Sequence, residues 1–171
     1  MPKIIDHEEY RNEISKKAVD IFRACGYRGI GMRKIAGILG ISKSALYHYF
    51  PTKEALFLEC TKHVSEIQID TTLPPGQAIV QWAKGWDSVF PGELRIMLDY
   101  VNSRDPEELQ KDTAVTVFMD GISKSLAPVI GEDRINIVLS TVFGFLLLRF
   151  FTGKSPGFKE LEKMLENHIL K

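Results

Sequence analysis

Apolar residues recur at helical spacing through most of the chain, and stretches rich in glycine and proline divide them. Between Glu9 and Cys25, the residues Ile14, Ala18, Ile21 and Phe22 fall along one face and predict a first helix. Gly26-Tyr27-Arg28-Gly29-Ile30-Gly31 interrupts it. Met32 to Leu39 then sets Ile35, Ala36 and Leu39 on one face of a short second helix. Gly40 ends that helix, because glycine takes a positive φ without steric cost. Ile41 plugs the corner, Ser42 caps a third helix through its hydroxyl, and Leu46 and Phe50, four residues apart, point at the core. Pro51-Thr52-Lys53-Glu54 opens a fourth helix, predicted to run to about Asp70, with Ala55, Leu56, Cys60, Val64 and Ile67 as its inner stripe.

Pro74-Pro75-Gly76 closes a break that starts at Thr71. Beyond it the pattern predicts helices over 77–90, 92–103, 107–130, 133–151 and 158–170. Pro91-Gly92, Asp105-Pro106, Gly131 and the stretch 153–157 separate them, and Pro128 bends or ends the third. No alternating run is long enough for a sheet, so the class is all-α. The chain divides into a three-helix domain over 1–52 and a larger helical domain over 53–171.

Two helices joined by a short glycine-containing turn make a helix-turn-helix. With Leu46 and Phe50 facing inward, Lys43, Ser44, Tyr47 and His48 face outward. Lysine and serine can meet phosphate or guanine acceptors, and tyrosine brings a hydroxyl and a ring edge for a thymine methyl. An ordinary helical corner with solvated polar residues would show the same periodicity. Arg33 and Lys34, at the start of the second helix, are candidate clamps on a phosphate backbone.

Charge sharpens this reading only when the chain is divided. The whole is formally neutral, but the first 62 residues hold 11 Lys and Arg against 7 Asp and Glu, and the rest hold 11 against 15. The basic excess lies with the helix-turn-helix, as an electrostatic footprint on phosphate requires. Met1 to Asn12 has no apolar run of the secretory kind, which points to a cytoplasmic protein. Cys25 and Cys60 have neither C-x-x-C spacing nor a neighbouring histidine, so they read as buried, reduced side chains. The three glycines of 26–31 lack the phosphate-cradling order and follow no strand. Neither a cofactor nor a metal is expected.

Gly26-Tyr27, Met32-Arg33-Lys34-Ile35-Ala36, Gly40-Ile41-Ser42-Lys43 and Leu46-Tyr47-His48-Tyr49-Phe50-Pro51-Thr52-Lys53-Glu54-Ala55-Leu56-Phe57 together resemble the N-terminal DNA-binding domain of the TetR (tetracycline repressor) family. The resemblance covers about the first third of the chain. It implies a homodimer that represses from a palindromic double-stranded DNA operator, and that Tyr47, Tyr49 and Lys53 contact phosphates. Gly31 stands where the family usually has Ser or Thr, so a hydroxyl contact is lost there. The candidate DNA-binding set is Arg33, Lys34, Ser42, Lys43, Ser44, Ala45, Tyr47, His48, Tyr49 and Lys53.

The stretch from Ile135 to Phe151 is apolar nearly all round. It falls short of the ~20 residues of a membrane span, and Asn136, Ser140, Thr141, Gly144 and Arg149 interrupt it, so no membrane is expected. Its second side is instead predicted to meet a second copy of the chain, with Gly144 allowing close approach and Phe158, Leu161, Leu165 and Ile169 completing a four-helix, two-fold interface. Trp82, Trp86, Phe90, Tyr100, Phe118 and Phe143 are the candidate lining of a site for a small hydrophobic effector, with Tyr100 or Asp99 as polar anchor. The alternative is a core with no cavity. His7, His48, His63 and His168 are scattered and no nucleophile has a recognisable setting, which argues against an enzyme. A helical protein-interaction adaptor that binds no duplex is the rival reading.

Overall fold

Local signals account for the first four helices in the computed structural model, which describes residues 6–153 and 156–170. The opening of the N-terminal stretch and part of the 153–157 break lie outside the described residues. In helix α1 (His7–Cys25) Asp6 is the N-cap, its carboxylate accepting the N–H groups of Glu8 and Glu9 at 3.0 and 3.1 Å. Gly26 ends it at φ 74°, where a Cβ would stand 2.2 Å from the Asp99 carboxylate. Both the backbone conformation and the space therefore require glycine.

Helix α2 (Met32–Leu39) ends at Gly40 in the left-handed conformation, with the Ile41 N–H donating to the Ala36 carbonyl at 3.1 Å. Helix α3 (Lys43–Tyr49) starts where the Ser42 hydroxyl accepts the Ala45 N–H at 3.0 Å. Helix α4 (Lys53–Ser65) is capped by Thr52, whose hydroxyl accepts the Ala55 N–H at 3.1 Å. It stops before the expected Asp70, leaving Ile67 outside the helix.

Downstream, two boundaries differ from those expected. Pro91 does not divide the next segment: helix α5 is continuous over Pro75–Val101. Proline removes one N–H from the ladder, the one that would reach the Asp87 carbonyl. Trp86 and Phe90, in the turn before it, are buried and anchor the helix on that side. The expected helix over 107–130 is instead two, α6 (Pro106–Leu109) and α7 (Thr113–Ile130), with Pro128 inside the second. Asp112 makes the break, because its carboxylate caps α7 through the Ala114 and Val115 N–H groups at 2.9 and 3.1 Å.

After a 3-10 turn at Glu132–Arg134 comes α8 (Ile135–Thr152), and α9 (Phe158–Met164) ends in a π-turn at Leu165–Ile169. Turn and helix together make 21 residues, and an 18-residue window within them has a mean hydropathy of 1.8, enough to cross a membrane by length and composition only. The polar interruptions remain, and Arg149 among them forms an ion pair with Asp87 at 3.0 Å. No strand occurs among the described residues. The all-α class is the observed one.

The chain forms two compact units. The first takes the residues up to Ser65 together with Gly92–Met119; the second takes Glu66–Pro91 and the residues from Asp120 onward. Ile14, Ala18, Phe22, Ile35, Leu46, Phe50, Leu56 and Cys60 form the first unit's core. Tyr27 stacks among Phe57, Tyr100 and Phe22 there, with ring centroids 4.8, 5.0 and 6.2 Å away. Cys60 is buried as expected, and burial pushes its thiol well above the ordinary range; Cys25 is only half-buried. The second unit buries Ile79, Ala83, Ile122, Leu126, Val138, Val142, Leu146, Leu161 and Leu165.

Candidate nucleic-acid interface

Leu46 and Phe50 fix the third helix from behind, each with no exposed surface. Burying two such side chains contributes about 1.5–3 kcal/mol apiece. With those anchors in place, the opposite face of α3 is set. Lys43, Ser44 and His48 are exposed and Tyr47 is 40 % exposed, while Ala45 is half-buried. The Lys43 ammonium lies 5.5 Å from the centre of the Tyr47 ring, so the charge and the phenol occupy one patch. Ser42 is exposed, its oxygen engaged with the Ala45 N–H and with the Ser44 hydroxyl at 3.1 Å.

Arg33 and Lys34 are exposed on the first turn of α2, beside an N-cap, Gly31, that lacks a side-chain hydrogen bond. The α2 N-terminus thus keeps outward N–H groups next to two cations, a combination suited to an anion. Tyr49 is half-buried and differs from Tyr47: its hydroxyl is 2.8 Å from His7 Nδ1 and its ring meets Tyr10 edge-on.

Lys53 is also half-buried. Its ammonium donates to the carbonyls of Tyr27 and Ile30 at 3.0 and 3.3 Å and sits 4.3 Å from the Tyr27 ring centre. Two of its three donors therefore tie the start of α4 to the turn before α2. Beneath it the Tyr27 hydroxyl donates to Glu54 at 2.7 Å. Burial, with that carboxylate, pushes the Tyr27 phenol up to about 12, and the same bond holds Glu54 below its ordinary value.

The candidate effector residues fall into the two units. Tyr100 and Phe118 belong to the first. The Tyr100 hydroxyl donates to Asp112 at 2.9 Å, Arg104 pairs with Asp112 at 2.9 Å, and the Arg104 guanidinium lies 3.7 Å from the centre of the Tyr100 ring. Although burial opposes it, the N–H groups of Val115 and Ala114, with Tyr100 and Arg104, hold the Asp112 carboxyl below its usual range. Asp99 accepts the Arg28 N–H at 3.1 Å.

Trp82, Trp86, Phe90 and Phe143 belong to the second unit. Trp86 meets Trp82 at 6.0 Å and Phe143 at 5.6 Å between ring centroids, and the Trp82 indole N–H is buried without a hydrogen-bond partner. A cavity of about 230 Å³ lies nearby in the same unit, lined by Asp87, Phe90, Pro91, Leu146, Arg149, Phe150 and Gly153. Of the candidate lining, only Phe90 borders it.

Along α8 an apolar stripe faces away from the core. Ile137, Leu148 and Phe151 are 52, 55 and 72 % exposed, and between them Gly144 is exposed with no atom within 4 Å of where a Cβ would be. Positions 137, 144, 148 and 151 share one face at helical spacing.

Sequence reasoning missed His7 and Tyr10, which adjoin α3 from α1. They are about forty residues away in the chain, and no periodic signal connects them. Arg28, exposed in the turn before α2, adds a further cation to this unit.

A short, capped helix held by its apolar side, with a cationic and phenolic face outward and a second helix N-terminus beside it, has the geometry of a helix-turn-helix. Comparison with known proteins names the kind. Residues 14–60 match the family described as bacterial regulatory proteins, tetR family. Over 66 residues it is 39% identical to the HTH-type transcriptional regulator PksA of Bacillus subtilis, a match covering 39% of this chain and 32% of that protein. Over 57 residues it is 35% identical to the HTH-type transcriptional regulator RutR of Escherichia coli K12, covering 33% and 27%. The chain thus spans about a third of the length of the curated relatives it matches. A Clostridium perfringens protein described as a fatty acid metabolism regulator shares the fold, with a TM-score of 0.51 at 16% identity over 92% of this chain and 96% of that one.

Proposed function

We propose that the chain is a cytoplasmic, dimeric transcriptional repressor that binds a palindromic DNA operator through one α3 helix per half-site. The observation that carries this reading is the outward patch of Lys43, Ser44, Tyr47 and His48 on a helix anchored by Leu46 and Phe50. Lys43, Ser44 and His48 face the base edges, with Ser42 and Ala45 at the leading end of the helix. Arg33, Lys34, Tyr47 and Tyr49 hold phosphates. Lys53 has one donor left for a phosphate after its two carbonyl bonds and adds a brace to the same unit.

A lone reading helix binds weakly, so a two-fold pair is part of the proposal. The stripe of Ile137, Leu148 and Phe151 around Gly144 is its interface. The effector-binding and dimerisation role falls to the residues from 53 onward. A small apolar effector with one hydrogen-bond acceptor suits the second unit, where Trp82 keeps an unpaired N–H among aromatic rings and the cavity is modest in volume. Such a ligand releases the operator only by binding one dimer geometry better than the other.

Titration of the chain with duplex DNA at low salt tests this. Salt-dependent binding supports the repressor, whereas no binding to any duplex supports the interaction-adaptor alternative. The curated relatives, named as HTH-type transcriptional regulators, favour the former.

A further inference from the structure

The far end of the reading helix is held by the first turn of α1. His7 precedes Tyr49 by 42 residues, yet its Nδ1 lies 2.8 Å from the Tyr49 hydroxyl. Tyr10, one turn further along α1, meets the Tyr49 ring edge-on at 5.3 Å between centroids, and His48 meets it at 5.1 Å from α3 itself. The Asp6 cap fixes that turn of α1, so His7 is presented from an ordered backbone.

The chemistry of the pair limits what Tyr49 can offer. A phenol has a single O–H to donate, and a neutral imidazole has one donor and one acceptor nitrogen. When the phenol donates to Nδ1, the imidazole proton sits on Nε2 and the outward donor belongs to His7. When Nδ1–H donates instead, the phenol keeps its own proton for a phosphate. Either way one donor remains, and the two residues together determine where it points.

We infer that the first turn of α1 belongs to the duplex-binding surface, with His7 as the positioning residue that fixes the Tyr49 hydroxyl against the DNA backbone. This rests on the duplex-binding reading above. A positioned hydrogen bond of ordinary net strength corresponds to about fivefold in affinity for each reading helix, and about 25-fold for a two-fold pair.

The test is a double-mutant cycle on the full chain with a duplex selected for binding, measured across a salt series. His7→Ala and Tyr49→Phe each weaken binding by about 25-fold. The double variant is no weaker than the weaker single one, because both remove the same interaction. His7→Asn, whose amide occupies the place of Nδ1, recovers most of the affinity. Wild-type affinity in His7→Ala, losses that multiply in the double variant, or a folded His7→Asn as weak as His7→Ala would each overturn the inference. Should His7→Ala lower the melting midpoint, Tyr49→Phe, which deletes one oxygen, carries the test, and wild-type affinity in it is then the refuting result. A wild-type chain that binds no duplex would refute the duplex-binding reading itself.

Discussion

Replacing Tyr47 with alanine separates reading from folding. The side chain is 40 % exposed, and the Lys43 ammonium lies 5.5 Å from its ring centre. Loss of an exposed cation–π contact of this length costs about 0.5–1 kcal/mol at most, so the melting midpoint should move by no more than a few degrees. Binding is expected to suffer far more. A phenol donating to a phosphate makes a hydrogen bond to a charged group, worth about 1.5–3 kcal/mol. Two reading helices per dimer double the loss to about 3–6 kcal/mol, at least a hundredfold in affinity. Fluorescence anisotropy with a labelled duplex reads the affinity, and a thermal melt reads the fold. Leu46→Ala is the opposite control: Leu46 is fully buried, and emptying its site costs about 2–5 kcal/mol of stability. Operator affinity unchanged in Tyr47→Ala, or a melting midpoint lowered as far as in Leu46→Ala, would refute the reasoning.

Lys53→Ala is expected to weaken binding to all duplexes alike, flatten the salt dependence and lower the melting midpoint, since it leaves the Tyr27 and Ile30 carbonyls without their donor. A change in sequence preference would show instead that Lys53 reads bases. Asp112 is held below its ordinary value in the folded chain, so its contribution to stability is present above about pH 4 and is lost as pH falls through the folded value. Asp112→Ala should therefore melt lower than the wild type at pH 7, by about 0.5–2 kcal/mol from the lost cap alone. The two melting curves then converge as pH falls below about 4 and through the folded value, and curves that stay parallel would count against this. Replacing Leu148 and Phe151 together with lysine is expected to give a monomer by sedimentation with its helical content intact; a dimer that persists would move the interface elsewhere.

The helix-turn-helix was legible because its signals are local. Gly40 at positive φ, the Ser42 hydroxyl on the Ala45 N–H, and Leu46 and Phe50 on one face all act within a dozen residues. Downstream of α4, whose end at Ser65 also fell short of the expected Asp70, the same rules misplaced two boundaries. Pro91 reads as a terminator in the sequence, but it removes only one N–H, and the helix runs on through it with Trp86 and Phe90 buried in the turn before. The break at Asp112 had a signal, an acidic residue followed by Thr113 and an apolar run, that the pattern of apolar positions alone passes over. Polar links between distant residues were not legible. His7 with Tyr49, Tyr27 with Glu54 and Asp87 with Arg149 join partners 27 to 62 residues apart, and no periodicity records such a pairing. The effector lining was the least legible part, since aromatic residues at helical spacing read alike whether they fill a core or border a cavity. Tyr100 illustrates this: its ring sits in the first unit's core and its hydroxyl is engaged by Asp112.

Selection of bound duplexes from a random pool, with the full chain at moderate salt, tests the central claim most directly. The expected product is an inverted repeat whose half-sites lie about one helical turn, or a multiple of it, apart. Recovery of unrelated sequences with no repeat, or of no duplex at all, would contradict it.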